Sequence, residues 1–397
     1  MRLLGACSLG GAGHLGPMVP ILRAGQHRGD EVVVVGPPSM GEMITRAGFA
    51  FVPGGEPEES VVAPIRELLP VVSRAEATVL GNRDLFGRLA TTAMLPAMEQ
   101  AIYDWAPDLV IRDPMEYASA VIAGRLGIAT AQVAISLADG EAASIAAASP
   151  ALEEHRRGLT EELLSTPYLT RFPASLDPSP FETTLRYRDG SAGPPGPRPA
   201  PSEWWSGSSG PRLYVTFGTV LGHMTIAAGV YRIALRAVER LTSVDADVLL
   251  TIGMTLDRTA IGEAPPNVRV ERWVPQAEAL QGADLVVCHG GSGTVFGALA
   301  AGVPLVIYPL FADQFENARR VEATGAGLVV QPDPSVSEPG GATGTGEAER
   351  LAAAIDTVLA DRSYRRNAES IGAEMAAADD VAGVLDRVLD GVSKRAR

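Results

Sequence analysis

Cysteine, basic charge and long apolar runs are all scarce in this chain of 397 residues. Its two cysteines, Cys7 and Cys288, lie in short apolar runs, which favours buried free thiols and a reducing, cytoplasmic setting over a disulfide framework. The 33 basic residues are outnumbered by 47 acidic ones, for a formal net charge of −14. This balance argues against a nucleic-acid-binding protein, because phosphate binding needs a concentrated basic face. No apolar run approaches the roughly 20 residues of a membrane span, and the N-terminal apolar stretch of about six residues is too short for a secretory signal.

Apolar residues, in contrast, make up 46% of the chain and follow one pattern twice. Short runs rich in Val, Leu and Ile alternate with helical patterns, which indicates parallel sheets covered by helices on both faces. The strands are predicted at 3–8, 31–36, 49–53, 109–113 and 130–136, and again at 212–218, 247–253, 268–273, 284–290, 304–309 and 327–331. The segment between the two sets is dense in Pro, Gly and Ser, as linkers are. We therefore expect two tandem doubly wound α/β domains at 1–190 and 212–378, a linker at 191–211, and a helix at 379–397 that packs back on the first domain.

In such sheets, ligands bind beyond the carboxyl ends of the strands, and with two sheets the cleft between them is the expected active site. The turn GAGHLG at 11–16 follows the first strand and matches the dinucleotide fingerprint. However, the second strand ends in Gly-Pro-Pro at 36–38 and lacks the acidic residue that would hold a ribose. Neither a nicotinamide site nor a plain glycine turn explains His14. At the tip of a strand-to-helix turn it could act as a general base, with Asp113, at the end of a strand of the same sheet, fixing its tautomer; the alternative for Asp113 is a turn or N-cap carboxylate.

The second domain carries a different set of candidates at the same edge. The stretch HGGSGT at 289–294 follows a strand and opens a helix, so its free backbone N–H groups and the helix dipole favour an anion. It lacks the Lys-Ser/Thr pair of a P-loop, and a diphosphate held by amides, hydroxyls and the histidine is the physical interpretation. Trp273 offers a flat face for a base, and Asp313 and Gln314 suit sugar hydroxyls; the alternative for each is an N-cap or a turn. The expected binding residues are Gly218, Thr219, Trp273, Val274, Gln276, His289, Gly291, Ser292, Gly293, Thr294, Asp313 and Gln314.

A metal site is not expected. The run VDADV contains the Asp-x-Asp pattern with which many sugar transferases hold a divalent cation. Here the run precedes its strand, so Asp245 and Asp247 would lie at the amino edge, away from the ligand side. We expect no metal and no bound cofactor.

Taken together, these motifs resemble the family-one glycosyltransferases of the GT-B fold, in particular the bacterial enzymes that decorate secondary metabolites. The resemblance spans the chain: the turn with His14, RDPMEYASAVIAGRLGI at 112–128, VTFGT at 215–219, WVPQ at 273–276, HGGSGT, and PLFADQFENARRVEATGAG at 309–327. It implies an inverting, metal-independent transfer in which His14, assisted by Asp113, takes the proton of an acceptor hydroxyl. The substrates would be a nucleotide sugar and a small-molecule aglycone.

One departure from the family pattern concerns the nucleotide. Members that use UDP-sugars usually carry a glutamate eight residues after the motif histidine, where it binds ribose hydroxyls, and this chain has Gly297 there. We therefore expect a dTDP-deoxysugar, with a UDP-sugar as the alternative. A second departure is an additional glycine in the turn SLGGAGH, which leaves the geometry around His14 open.

Other activities also stay open. An NAD-dependent oxidoreductase, a GT-B-fold nucleotide-sugar epimerase and a non-catalytic helper are the competing interpretations, although the helper would be expected to have lost the donor motifs. The acceptor pocket is expected from segments 54–96 and 137–185, whose apolar content suggests a hydrophobic aglycone such as a polyketide. The sequence does not determine the oligomeric state, and a homodimer stays open.

Overall fold

A computed structural model describes residues 1–69, 72–190, 203–205, 209–218, 221–224, 226–242, 245–332 and 345–395. Most of the predicted linker and one predicted site residue, Thr219, lie outside the described residues. The chain divides into two compact units. Unit 1 consists of Met1–Asp189 and Ala378–Arg397, and unit 2 of Gly190–Ala377.

Unit 1 is built on a sheet whose paired strands all run parallel. Its strands are β1 (Arg2–Ala6), β2 (Glu31–Gly36), β3 (Ala50–Pro53), β4 (Leu109–Arg112), β5 (Ala129–Val133), β6 (Tyr168–Thr170) and β7 (Thr184–Arg188), joined by the two-residue β14 (Asp379–Asp380) near the end of the chain. Their spatial order is β14-β7-β6-β5-β4-β1-β2-β3. Because β1 and β4 are neighbours, the residues that follow them meet at one point of the carboxyl edge.

Helices cover both faces of this sheet. They are α1 (Ala12–Leu15), α2 (Val19–Arg28), α3 (Gly41–Arg46), α4 (Glu59–Leu68), α5 (Arg74–Val79), α6 (Thr91–Trp105), α7 (Ala118–Leu126), α8 (Ala138–His155), α9 (Leu159–Ser165) and α16 (Val381–Arg395), with a π-helical segment at Leu80–Ala90. Successive strand residues face opposite layers: Leu3 packs with α2 and α16, whereas Leu4 packs with α6 and α7. This two-sided burial is why the strands read as continuous apolar runs.

The last helix belongs to unit 1 although it follows unit 2 in the chain. It packs against α2 and β7, and its buried residues Val384, Leu385, Val388 and Leu389 join the same core as Leu22. An ion pair between Arg28 and Asp386, with 2.8 Å between Nη1 and Oδ1, lies at this contact.

Unit 2 has a second parallel sheet, in the order β10-β9-β8-β11-β12-β13. Its strands are β8 (Arg212–Thr216), β9 (Asp247–Thr251), β10 (Val268–Glu271), β11 (Leu285–Cys288), β12 (Leu305–Ile307) and β13 (Gly327–Val329), and its helices are α10 (Ala227–Val238), α11 (Gln276–Leu280), α12 (Ser292–Ala300), α13 (Gln314–Ala323), α14 (Thr345–Ala360) and α15 (Arg362–Ala377). The predicted class, two parallel-sheet α/β domains, is confirmed.

Two elements of unit 1 differ from the sequence-based prediction. β6 and β7 were not predicted, because one has three residues and the other, TLRYR, reads as polar. The turn after β1 also differs: GAGHLG at 11–16 is expected as a turn, but Ala12–Leu15 already forms a helical turn, followed by a 3-10 turn at Gly16–Met18 and then α2. Pro17 and Pro20 lack the N–H groups that a continuous helix would need there.

Candidate active site

His14 and Asp113 are in direct contact in unit 1. His14 lies in α1, directly after β1, and Asp113 follows the neighbouring strand β4. Nδ1 of His14 lies 3.3 Å from Oδ1 of Asp113; the histidine side chain is 13% exposed and the aspartate side chain is fully buried. Since a carboxylate only accepts hydrogen bonds, the contact assigns the proton to Nδ1 and leaves the lone pair on Nε2. The pair therefore has the arrangement of a general base and its supporting carboxylate.

The carboxylate of Asp113 is held in its ionised form. Burial by itself raises the pKa of Asp113, but the charge of His14 and the hydrogen bonds that the carboxylate accepts outweigh it and bring the pKa below its usual value. The backbone N–H of Ser8 donates to Oδ2 at 2.6 Å, and that of Met115 donates to Oδ1 at 2.7 Å. The bond from Met115 is the turn interaction that the sequence left open as an alternative. Asp113 thus closes the turn and contacts His14 at the same time.

The additional glycine of the turn has a steric role. Gly10 has a φ of 127°, and a Cβ atom at this position would overlap Cδ2 and Nε2 of His14. Only glycine gives both this backbone conformation and this space. The departure at SLGGAGH is therefore compatible with the contact between His14 and Asp113.

A buried arginine, which the sequence-based reasoning did not single out, supports the loop after β4. The guanidinium of Arg112 donates from Nε to the carbonyl of Glu116 at 2.6 Å, from Nη2 to that of Pro114 at 3.0 Å, and from Nη1 to Oε1 of Gln132 at 2.9 Å. Burial lowers the pKa of Arg112, against the opposing effect of nearby carboxylates such as Glu116. The only sequence signal was a charged residue inside an apolar strand, because such a residue is rarely buried unless it is paired.

A mainly apolar pocket lies beside this loop in unit 1. It is lined by Ser8, Leu9, Pro37, Gly55, Pro57, Ala90, Thr91, Met94, Met115, Glu116 and Tyr117. Five of these belong to the predicted acceptor segment 54–96. The other predicted segment, 137–185, contributes none of the lining residues; it forms α8, α9, β6 and the start of β7.

In unit 2, HGGSGT joins β11 to α12. Gly291 is the N-cap of α12, and Ser292 and Thr294 lie in the first turn, where the backbone N–H of Thr294 donates to the carbonyl of Gly291 at 3.0 Å. The hydroxyl of Ser292 donates to Oδ2 of Asp313 at 2.8 Å. The amide nitrogen of Asn317 lies 3.0 Å from both of those oxygen atoms and 2.8 Å from the carbonyl of Gly290. Asn317, which was not predicted as a site residue, therefore fixes the N-terminus of α12 against α13.

His289 is enclosed by two glycines. A Cβ at Gly291 would lie 2.6 Å from Nε2 of His289, and a Cβ at Gly218 would lie 2.9 Å from the same atom. Burial lowers the pKa of His289 to about 4, although the charge of Asp313 acts in the opposite direction. The ring is therefore neutral at pH 7, and as a neutral imidazole it can donate one hydrogen bond to an anion.

Gln314 is bonded to the backbone of the turn that precedes it. It was predicted to hold sugar hydroxyls, but its side chain is buried, and its Oε1 accepts from the backbone N–H groups of Leu310 at 2.8 Å and Phe311 at 3.1 Å. The carbonyl oxygen is thus committed to the turn after β12, which is the structural alternative that the sequence left open.

The motif WVPQ follows β10, at the carboxyl edge of the sheet. Trp273 is 59% exposed, so its indole face is available, whereas the side chain of Val274 is buried and could offer a ligand only backbone groups. Gln276 begins α11, and its Nε2 lies 3.4 Å from the carbonyl of Gly293. The same Nε2 lies 2.5 Å from the place where a Cβ of residue 297 would be. The amide of Gln276 therefore occupies the space beside Gly297.

Asp247 is the first residue of β9 and so lies at the amino edge of the sheet. In the part of the chain that the structure describes, no three or more His, Cys, Asp or Glu side chains are grouped to hold a metal ion. None of the described helices is long and apolar enough to cross a membrane.

Comparison with known proteins identifies the family. Models of the N-terminal and C-terminal domains of the erythromycin biosynthesis protein CIII-like proteins match residues 23–192 and 235–390. The chain is 32% identical to L-demethylnoviosyl transferase of Streptomyces niveus, covering 92% of this chain and 91% of that protein. It is also 32% identical to elloramycin glycosyltransferase of Streptomyces olivaceus, covering 83% and 85%.

Solved structures show the same fold. The spinosyn rhamnosyltransferase SpnG, solved in complex with thymidine diphosphate, aligns with a TM-score of 0.74 at 24% identity, over 98% of this chain and 100% of that one. The glycosyltransferase SnogD from Streptomyces nogalater aligns with a TM-score of 0.72 at 23% identity, over 99% of both chains. The resemblance inferred from the motifs is confirmed: the chain is a glycosyltransferase of GT-B fold and belongs to the erythromycin biosynthesis protein CIII-like family of bacterial natural-product glycosyltransferases.

Proposed function

We propose that this glycosyltransferase moves a deoxysugar from a dTDP-sugar to a hydroxyl of a hydrophobic natural-product aglycone, with inversion and without a metal. The observation that carries the proposal is the contact between His14 and the buried carboxylate of Asp113. A base with its Nδ1 proton held by a carboxylate can take a proton at Nε2 and remain stabilised as the imidazolium.

The proposed reaction is a single displacement. Nε2 of His14 takes the proton of the acceptor hydroxyl while the acceptor oxygen forms a bond to the anomeric carbon of the sugar. The bond from that carbon to the diphosphate oxygen breaks, and dTDP leaves with the electron pair. Attack from the side opposite to the leaving group inverts the anomeric centre. General base catalysis of this type contributes about 10²–10⁴-fold to the rate.

The start of α12 is the proposed binding site of the diphosphate. The N-terminus of α12, the hydroxyl of Thr294 and the neutral ring of His289 are donors that are in place before the reaction, while the hydroxyl of Ser292 donates to Asp313 and holds the start of the helix. Fixed donors and the helix dipole stabilise the charge that develops on the leaving group. We therefore propose that no metal ion is needed at this site.

The proposed dTDP preference rests on Gly297. Without a carboxylate at this position, a nucleotide that lacks the 2′-hydroxyl loses no interaction. The relatives support this choice: spinosyn rhamnosyltransferase and the glycosyltransferase SsfS6 of Streptomyces sp. SF2575 were both solved with thymidine diphosphate. Isothermal titration of the purified protein is expected to show tighter binding of dTDP than of UDP. Equal or tighter binding of UDP would contradict the proposal.

The pocket beside Asp113 supports an apolar acceptor. Leu9, Pro37, Met94 and Met115 line this small pocket together with a few polar groups, so an acceptor that reaches it would meet mainly apolar side chains. A panel of dTDP-, UDP- and GDP-sugars is to be tested against polyketide and other aromatic aglycones, with and without EDTA. We expect dTDP release only when both a dTDP-sugar and an acceptor are present, unaffected by EDTA, and a product whose anomeric proton coupling shows inversion.

Each competing activity would give a different result. A nucleotide-sugar epimerase would turn over its substrate without an aglycone, and an oxidoreductase would bind NADH in a fluorescence titration. Release of nucleotide without acceptor, loss of activity in EDTA, or retention of the anomeric configuration would each overturn the corresponding part of the proposal.

A further inference from the structure

The ring of Phe86 stacks on the imidazole of His14. Their centroids are 5.7 Å apart and their planes are inclined by 18°, within the range of offset-stacked aromatic pairs. Phe86 follows neither of the strands that carry His14 and Asp113. It comes from the π-helical segment Leu80–Ala90, which joins α5 to α6.

The π-helical segment is unusual and firmly held. Such helices are rare, normally confined to single turns, and frequent at functional sites, whereas this one spans 11 residues. Side chains bond to two successive carbonyls: the hydroxyl of Thr91 donates to that of Phe86 at 2.8 Å, and Nε2 of His155 donates to that of Gly87 at 3.1 Å. A Cβ at Gly87 would lie 3.2 Å from that of Ala148, so the segment packs closely against α8.

Three contacts define the position of the imidazole. Asp113 holds Nδ1, the backbone of Gly10 lies against the edge formed by Cδ2 and Nε2, and Phe86 covers one face of the ring. The bond to Asp113 alone would let the ring plane swing about Nδ1. The stacked phenyl ring removes this freedom and therefore sets the direction of the lone pair on Nε2.

We propose that Phe86 is a positioning residue for proton transfer: it sets the plane of His14 and therefore the direction of the lone pair on Nε2. This inference rests on the proposed role of His14 as the base. A residue that acts in this way affects the rate of the chemical step and leaves substrate binding unchanged.

The test compares aliphatic and aromatic replacements. Phe86→Leu and the similarly sized Phe86→Met are expected to lower kcat about tenfold, while the KM for the aglycone and the affinity for dTDP stay within about twofold. Phe86→Tyr keeps the ring and is expected to restore kcat. Leu85→Ala, which alters a half-buried side chain of the same segment, is the matched control and is expected to keep kcat within about twofold of the wild type.

Several outcomes would overturn the inference. An unchanged kcat in either aliphatic variant, an effect confined to the KM of the aglycone, or a Phe86→Tyr variant as slow as Phe86→Leu would each do so; the second would make Phe86 an acceptor contact. The His14→Ala background separates this failure from failure of the proposed function. If His14→Ala keeps full turnover, the assignment of His14 as the base is wrong. If His14→Ala loses turnover while Phe86→Leu leaves kcat unchanged, only the proposed role of Phe86 is wrong. If Phe86 acts through His14, adding Phe86→Leu to His14→Ala should not lower the residual rate further.

Discussion

Gly297 supports an inference about the nucleotide before a structure is known. The sequence alone predicted that a missing carboxylate removes a ribose contact. It could not predict that the amide of Gln276 lies in the vacant space, 2.5 Å from where a Cβ would begin. That placement depends on how α11 packs beside α12, which no local pattern encodes. Because Gln276 is flexible at its end, a larger residue at 297 can displace it.

We expect Gly297→Glu to shift nucleotide preference toward UDP. The new carboxylate can accept hydrogen bonds from the ribose 2′- and 3′-hydroxyls, and a gained charged hydrogen bond corresponds to about tenfold in affinity. Isothermal titration with UDP and dTDP measures the ratio of the two dissociation constants. Gly297→Gln is the matched control, since it adds the same bulk without the charge. An equal shift in both variants would assign the effect to size and contradict the ribose account.

Gln314 illustrates the limit of prediction at this scale. Its residue type and position at the carboxyl edge suit sugar binding, and the sequence allowed either that role or a turn. The structure shows that the side-chain oxygen turns back to the N–H groups of Leu310 and Phe311, a contact that no local pattern predicts. His14 and Asp113 were easier to identify, because the order of parallel strands alone brings the ends of β1 and β4 together.

At the scale of elements, the loop after β4 depends on the strand that precedes it. Arg112 donates to two carbonyls of that loop from inside the protein, and Asp113 then projects from the loop toward His14. The planar guanidinium can donate to both carbonyls at once, whereas the ammonium group of a lysine is a single point of charge. The stability of the element and the position of the supporting carboxylate are therefore linked.

We expect Arg112→Met to lower the free energy of unfolding by roughly 3 kcal/mol or more, because several buried acceptors lose their donor. Arg112→Lys should lose less stability, and both variants should transfer sugar more slowly than the wild type. Urea denaturation and steady-state kinetics measure the two effects. Arg125→Met, at an exposed position on α7, is the control and should stay within about 0.5 kcal/mol of the wild type. Equal stability of Arg112→Met and Arg125→Met would refute this role.

Regular elements were predicted better than irregular ones. The strands of both sheets with continuous apolar runs were identified from composition alone, since burial on both faces demands such runs. β6 and β7 were not predicted, because their pairing along the sheet, rather than their own residues, makes them strands. The π-helical segment could not be predicted from the sequence, since the apolar spacing that marks a helix cannot tell its wider turns from α-helical ones. The sequence therefore could not predict the contact between Phe86 and His14.

At the scale of the whole molecule, two buried groups make stability depend on pH in opposite directions. Burial raises the pKa of Glu141 to about 8, although its carboxylate accepts backbone N–H bonds from Ser136 and Ile135. Since this folded-state value lies above the unfolded one, stability falls as pH rises from about 4.5 through 8. His289, whose pKa is lowered to about 4, instead costs stability as pH falls from about 6.5 toward 4.

We expect Glu141→Gln to flatten the alkaline side of the stability curve. The amide oxygen can accept the same two N–H bonds without a charge, so the variant should match the wild type near pH 4 and exceed it by roughly 5 kcal/mol at pH 9. Urea denaturation at several pH values measures the difference. Glu161→Gln, at an exposed position on α9, is the control and should follow the wild-type curve. A difference between Glu141→Gln and the wild type that does not change with pH would contradict this assignment.

The most direct test of the account is His14→Ala, assayed for both dTDP binding and sugar transfer. Because His14 is proposed to contact the acceptor hydroxyl and not the nucleotide, dTDP affinity by isothermal titration is expected to stay within about twofold. The transfer rate at saturating donor and acceptor is expected to fall about 10²–10⁴-fold. A His14→Ala variant that binds dTDP normally and turns over at the wild-type rate would remove His14 from the mechanism.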